Sequence, residues 1–340
     1  MELFGKNLDK DLVVIAEIGV NHEGSKEKAL ELLELAAGAG ADAVKFQSYT
    51  PEKYVGAIDP DRQERVRRFA LDEAAHRSLS KRARELGVHF FSTPLSEDWV
   101  PIIAEIGSAI KIASGDLTFE PVIRTAAKTG LPIIISVGLG TFKEVDQAVQ
   151  WCREEIGDRD LPNRLALLHC VVAYPTPNDD ANVSNISVLK NRYGLTVGYS
   201  NHVIGPTACY AAVAMGAPIL EVHFTDQKTG RDFRDHALSM ETDDLRVLIE
   251  NAWLIKRSLG IPGHTRQKSE VENLTAARKG IVAADDLSAG TILTESRISY
   301  ARPAEGFAST EKNRVLGLSL VNPVTKGMPI FPNDVSMKSK

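Results

Sequence analysis

Between residues 12 and 260 the chain alternates two patterns: short apolar runs rich in β-branched residues, and longer stretches whose apolar positions recur every three or four residues. The short runs are LVVIAEI (12–18), ADAVKF (41–46), VHFFST (88–93), AIKIAS (109–114), LPIIIS (131–136), RLALLHC (164–170), LTVGYS (195–200) and PILEVHF (218–224). Each has the length and composition of a buried strand. The stretches between them read as helices. SKEKALELLELAAGAG (25–40) offers Ser25 as an N-cap, and DEAAHRSLSKRARELG (72–87) ends on a glycine. Strand and helix alternating eight times over roughly 260 residues predict a TIM-type (β/α)8 barrel, whose usual length is about 250 residues. A doubly wound sheet is the competing arrangement, but no glycine-rich dinucleotide fingerprint follows the first strand.

After the helical DDLRVLIENAWLIKRSLG (243–260) the pattern changes. A polar stretch leads into short segments punctuated by Gly and Pro, the pattern of a small β-rich domain. The expected division is a barrel over 1–262, a linker over 263–277 and a small C-terminal domain over 278–340.

Composition narrows the class. At 340 residues, 43% hydrophobic and 25% charged, the chain can bury one large core and a smaller one. Forty basic against 45 acidic residues, a net of −5, argue against a surface built for nucleic acid. Cys152, Cys170 and Cys209 are far apart and form no CxxC spacing, so neither a disulfide framework nor a thiolate metal site is expected. The N-terminal MELFGKNLDKDLVV lacks the pattern of a signal peptide, and no run of about 18 apolar residues occurs. A cytoplasmic protein with no membrane partner is the expectation.

Candidate chemistry lies at the strand ends, which a barrel gathers around one cleft. They carry Glu17 with Asn21 and His22, Lys45 with Gln47, Ser92 with Thr93, Lys111 with Ser114, Ser136, Tyr174, Ser200 with Asn201 and His202, and Glu221 with His223. A lone serine there needs no explanation beyond the approach to solvent. A lysine inside an apolar run does, since burying it without an anion is costly. Lys45 and Lys111 therefore point to a phosphate or carboxylate ligand held by charge-assisted hydrogen bonds, with internal Lys–Glu pairing as the alternative. In ILEVHFT (219–225), residues two apart share a face, so Glu221 and His223 look into one space. His202 and His223 end neighbouring strands, and two neutral imidazoles suit a divalent Mn, Zn or Co ion with positions left open for substrate and water. A structural zinc would take four Cys or His ligands. His169, inside a strand beside Cys170, reads as a hydrogen-bonded core histidine, and His76 and His89 have no suggestive neighbours.

The segments IAEIGVNHEGS, DAVKFQ, FFSTP, KIASGD, HC..AYPTP, GYSNH and LEVHFT resemble, in order and spacing, the sialic acid synthase (N-acylneuraminate synthase) family. RKGIVAADDLSAGTILTESRI is similar to that family's appended antifreeze-like (SAF) domain, so the resemblance covers essentially the whole chain. It implies a transferase of carbohydrate biosynthesis that condenses phosphoenolpyruvate with an N-acylated aminosugar aldehyde to give a nine-carbon 2-keto acid and phosphate. The sugar would be N-acetylmannosamine, its phosphate or a diamino relative. The implied metal is a divalent ion, Mn2+ before Mg2+ or Co2+, on His202 and His223, with Glu17 as general base. Lys45, Thr93, Lys111, Ser114, Ser136 and Ser200 match phosphoenolpyruvate-binding positions. Tyr174, Glu221 and Asp235 match sugar-binding ones, and Gln47 joins the substrate set as Lys45's neighbour. Arg302 matches an arginine that enters the partner's site, which implies a domain-swapped homodimer. Another phosphoenolpyruvate-dependent condensing enzyme of the same barrel class, acting on a sugar phosphate, and a non-catalytic sugar-binding scaffold are the alternatives. Against the scaffold, Glu17 and both histidines are present.

Three departures from the family pattern suggest an unusual sugar. Val171-Val172-Ala173 stand where polar residues are usual, Phe233-Arg234 replace a frequent Gly-Pro before Asp235, and Pro303-Ala304 replace Pro-Gly after Arg302.

Overall fold

The structure, a computed structural model, describes residues 1–336. Eight parallel strands close into a barrel: β1 (Val13–Gly19), β2 (Ala43–Ser48), β3 (His89–Pro94), β4 (Ile110–Ile112), β5 (Ile133–Ser136), β6 (Leu165–His169), β7 (Thr196–Asn201) and β8 (Ile219–His223). The eighth pairs with the first, Ile219 opposite Val13 and His223 opposite Glu17. Eight helices follow the strands in turn: α1 (Lys26–Gly38), α2 (Glu73–Leu86), α3 (Trp99–Ile106), α4 (Glu120–Lys128), α5 (Phe142–Ile156), α6 (Asn185–Tyr193), α7 (Thr207–Ala214) and α8 (Thr242–Ser258). The barrel is the expected TIM-type fold.

Local chemistry sets the helix ends. The Ser25 hydroxyl accepts the Lys28 N–H at the start of α1, and the Asp72 carboxylate accepts the Ala75 N–H at the start of α2. Gly87, at φ 73°, ends α2 in the left-handed conformation.

Alternation along the strands divides the core in two. Val14, Ala16, Val44, Ile110, Ile133, Val197 and Leu220 face outward and pack under the helices. Val13, Ile15, Ala43, Phe91, Ile134, Ala166, Leu168 and Ile219 fill the barrel's interior together with Leu3 and Leu8. Those two leucines come from an N-terminal hairpin (Glu2–Leu3 paired with Lys6–Asn7) that closes the barrel floor. Its strands of two residues each are too short for a periodic signal.

All eight strands lie within two residues of their expected bounds. The fourth is the shortest: AIKIAS contracts to Ile110–Ile112, and Ser114–Asp116 turn into a 3-10 helix. The β2–α2 connection is long and carries two helices of its own, Pro51–Tyr54 and Pro60–Phe69. The β8–α8 connection carries a third, Asp235–Leu238.

The chain divides into two compact units, Met1–Gly260 and a second from Ile261 onward. In the second unit, β9 (Gly280–Ala283) pairs antiparallel with β10 (Ile298–Ala301), and single bridges such as Leu287 with Val324 and Ile292 with Ser319 complete the framework. Ile281, Leu293, Phe307, Val315 and Ile330 form its core. The stretch 263–277 is not uniformly extended: Lys268–Val271 and Leu274–Ala277 are helical, and Thr275 C=O accepts the Ala304 N–H at 3.0 Å within the second unit. Among the described residues no helix is long and apolar enough to cross a membrane.

Candidate active site

One further inward step of the same alternation turns the barrel lining polar. Above Ile15, Ala43, Phe91 and Ile219 come Glu17, Lys45, Thr93 and Glu221, all buried. The register sets Glu17 between Lys45 on β2 and His223 on β8, and Ser200 opposite Glu221. A bulge in β1 between Glu17 and Gly19 helps aim the carboxylate; Gly19 has φ 55°, and a Cβ there would stand 3.0 Å from Glu17 Oε1.

The two lysines and two glutamates form one buried charge cluster. Lys45 Nζ lies 2.6 Å from Glu17 Oε2 and 3.9 Å from Glu221 Oε2, and donates to Thr93 Oγ1 at 3.1 Å. Lys111 Nζ is 3.9 Å from Glu221 Oε1 and donates to Ser136 Oγ at 2.7 Å and to Ile112 C=O at 3.0 Å. Ser200 donates to Glu221 Oε1 at 3.0 Å. The internal Lys–Glu pairing held open as an alternative is thus present. It coexists with a cleft that both lysines line.

Burial raises the Glu17 carboxyl to about 7 against the pull of Lys45, and the nearby Glu221 charge reinforces the rise. Burial would raise Glu221 as well, but Lys111 and Lys45 outweigh it and hold that carboxyl below its ordinary range. Burial also lowers Lys111. Near neutrality the Glu221 carboxylate is therefore ionised and the Glu17 carboxyl about half so.

Two imidazoles stand at one wall, with ring centres 5.3 Å apart. His202 Nδ1 lies 2.6 Å from Val171 C=O, a contact that requires N–H there and leaves the lone pair on Nε2. His223 Nδ1 is 3.9 Å from the buried Asp235 carboxylate. Burial brings both rings down to about 4, so both are neutral at physiological pH. Among the described residues no group of three or more His, Cys, Asp or Glu could hold an ion by itself. Two neutral imidazoles fit a divalent ion whose remaining positions belong to substrate and water. The Tyr174 ring is 4.3 Å from His202, and the Arg234 guanidinium covers its other neighbourhood, 4.8 Å from the ring centre.

These groups line a cleft of about 560 Å³. It brings together Glu17, Lys45, Gln47, Thr93, Lys111, Ser114, Ser136, Tyr174, Ser200, His202, Glu221, His223 and Asp235. Arg302, the remaining site residue expected from sequence, is exposed in the second unit just after β10.

The family model described as NeuB family matches residues 32–263, and the SAF domain model matches residues 261–336. The chain belongs to the NeuB family. It is 36% identical to an uncharacterised protein of Methanocaldococcus jannaschii over 95% of this chain and 94% of the other. It is 34% identical to an N,N'-diacetyllegionaminic acid synthase of Campylobacter jejuni, over 91% of this chain and 95% of that one. Among solved structures it resembles an N-acetylneuraminic acid (sialic acid) synthetase from Leptospira borgpetersenii in complex with citrate. That likeness has a TM-score of 0.73 at 33% identity, covering 78% of this chain and 90% of the other. This NeuB-family protein is an enzyme of the acylneuraminate synthase type, with the SAF domain expected from its motifs.

Not every polar strand end faces the NeuB-family cleft. Asn21 Nδ2 donates to Phe224 C=O at 2.8 Å and Ser239 Oγ at 3.1 Å, which ties two barrel loops together. Ser92 bonds Ser48 Oγ at 2.6 Å, and Ser48 in turn bonds His76 Nε2 at 2.8 Å, behind the sheet. His169 is a core histidine as expected, bonded to Ala181 C=O at 2.9 Å. Ser114 reaches the cleft, but its Oγ already accepts the Gly138 N–H at 3.0 Å and contacts Cys170 Sγ at 3.0 Å. Conversely, Tyr49, Lys53, Arg62, Arg65 and Phe69 line the cleft unannounced. They belong to the long β2–α2 connection, and its length at the ligand-binding end of a barrel was the signal available for them.

Proposed function

We propose that this enzyme condenses phosphoenolpyruvate with the open-chain aldehyde of an N-acylated aminosugar, giving a sialic-acid-type 2-keto acid and inorganic phosphate. The observation that carries the reading is the pairing, in one cleft, of two neutral imidazoles with two buried lysines in a chain of this family. Lys45 and Lys111, with the hydroxyls of Thr93, Ser136 and Ser200, hold the phosphate and carboxylate of phosphoenolpyruvate by charge-assisted hydrogen bonds. His202 and His223 would hold a divalent ion, Mn2+ in the first instance, which when bound polarises the aldehyde oxygen.

The phosphoenolpyruvate C3 donates its electron pair to the aldehyde carbon, the new alkoxide takes up a proton, water adds at C2, and phosphate leaves to give the ketone. Glu17 receives the proton of that water, and a carboxylate whose affinity for protons is raised to about 7 is suited to the transfer. Tyr174, Glu221 and Asp235 orient the sugar, which brings the two carbons into line. The functional unit is a domain-swapped homodimer in which the partner subunit's Arg302 completes each site.

The test is mass spectrometry of products formed from phosphoenolpyruvate, Mn2+ and a panel of N-acylated aminohexoses. A nine-carbon 2-keto acid, formed with one equivalent of phosphate, is the expected result. Chelator should abolish turnover and Mn2+ restore it, and His202→Ala or His223→Ala should remove the restoration while leaving the fold intact. Full turnover after chelation would overturn the role given to the histidines.

A further inference from the structure

The mouth of the cleft holds a positive charge that the reaction at its floor does not use. The helix Pro60–Phe69 carries four arginines, of which Arg67 is paired with Glu52 and Glu64 at 2.9 and 3.0 Å. Arg62, Arg65 and Arg68 have no carboxylate within ion-pair distance among the described residues. On the barrel's outer helices Arg77, Arg82, Arg124, Arg153, Arg192 and Arg246 are paired with carboxylates, while Arg84 and Arg257 are not among the described residues, so three unpaired guanidiniums on one ten-residue helix are a concentration rather than the general pattern.

The free arginines are anchored at the site. Val66 and Phe69 of the same helix are buried with Val20, Tyr49 and Leu95, and Phe69 meets Phe233 edge-on at 5.4 Å. Phe233 is one of the residues that depart from the family pattern, and the next is Arg234. A second cavity of about 980 Å³ adjoins the cleft and shares Arg62, Arg65 and Arg234 with it.

Arg234 stands close to the imidazoles without touching them: the Tyr174 ring centre is 4.3 Å from that of His202 and 4.8 Å from the Arg234 guanidinium, and Asp235 neighbours both His223, at 3.9 Å, and Arg234, at 3.3 Å. Arg234 donates only its Nε–H, to Asp235 at 3.3 Å, and its terminal N–H groups have no protein partner among the described residues. An aminosugar with its aldehyde at the histidines would bring its far end within reach of this guanidinium and of Arg62 and Arg65, which line the same cleft. The anionic groups of phosphoenolpyruvate are already matched by Lys45 and Lys111 at the floor. Guanidiniums converging from a helix and a loop suit a tetrahedral dianion, because each can donate two parallel hydrogen bonds.

We propose that the aminosugar taken by this enzyme carries a phosphate at the end remote from its aldehyde, held by Arg234 together with Arg62 and Arg65. This rests on the condensation proposed above and names its sugar more closely.

The test uses the full-length enzyme with Mn2+, saturating phosphoenolpyruvate and N-acylated aminohexoses supplied in pairs, with and without the terminal phosphate. The phosphorylated member should have the higher kcat/KM by at least about tenfold, the worth of one charge-assisted bond. Arg234→Gly, and Arg62→Ser with Arg65→Ser, should each lower kcat/KM for the phosphorylated sugar at least about tenfold more than for its plain counterpart. All three side chains are exposed, so folding is not at stake. A higher kcat/KM for the plain sugar overturns this inference and leaves the condensation standing, as does an equal loss for both members of a pair. A loss confined to KM for phosphoenolpyruvate assigns the arginines to that substrate and overturns it too. Failure of every sugar in the panel overturns the condensation itself, and this inference with it.

Discussion

At the scale of single residues, the site turns on how few groups answer for each substrate. Lys111 is buried, donates to Ser136 and Ile112 C=O, and lies 3.9 Å from Glu221 Oε1. Lys111→Ala removes one charge-assisted contact worth about 1.5–3 kcal/mol, so KM for phosphoenolpyruvate should rise roughly 10- to 100-fold while KM for the sugar changes little. Steady-state kinetics with each substrate varied in turn reads this directly, and equal losses for both would mean a collapsed cleft. Glu17 makes a prediction about pH. Its carboxyl is raised to about 7, so it is protonated below that pH and cannot receive the proton of water. kcat/KM should fall about tenfold per unit as pH drops below 7 and level off above it. In Glu17→Gln the residual rate should be low and flat through that range. An unchanged acid limb in the variant would assign the titration to another group.

At the scale of elements, the barrel interior leaves little room at β7. A Cβ on Gly198 would lie 2.6 Å from Leu168 Cδ2 and 2.7 Å from Ile219 Cβ, inside the ring of strands. Backbone conformation is not the constraint there; crowding by β6 and β8 is. Gly198→Ala should therefore overpack the interior and cost about 1–3 kcal/mol, measured as a lower urea midpoint at unchanged m-value. A neutral result would mean that β7 and β8 shift apart locally as well as Leu168 changing rotamer, since the added Cβ also meets Ile219 O at 2.6 Å. The same strand carries Ser200 one step further in, so a shift of β7 should also appear as weakened phosphoenolpyruvate binding.

At the scale of the whole molecule, the proposed dimer makes each site the joint product of two chains, with Glu17 from one and Arg302 from the other. Glu17→Gln and Arg302→Ala enzymes should each be nearly inactive. Mixed after dissociation and reassociated in equal amounts, they should recover about a quarter of wild-type activity, since half the dimers are mixed and each has one intact site. No recovery would place both residues in the same subunit's site, or remove Arg302 from the site altogether.

The sequence by itself determined the barrel, because strand and helix periodicities are local and eight of them in succession admit few arrangements. It also narrowed the cleft's lining to a set of polar residues at the strands' C-terminal ends, without deciding which of them face inward. What it left undecided depends on contacts between distant segments. Lys45 is an ion-pair partner of Glu17 because the register of β1 on β2 sets them opposite, and Glu221 joins them from more than 170 residues away only because closing the barrel sets β8 beside β1. Asn21 and Ser92 are as polar as Ser200, yet loop closure and the facing helix turned them to structural bonds, and no local pattern marks that difference. The arginines at the mouth show the same limit. Their spacing along Pro60–Phe69 is legible, but only the packing of Phe69 on Phe233 brings them beside Arg234, and a contact across 164 residues leaves no trace in either segment alone.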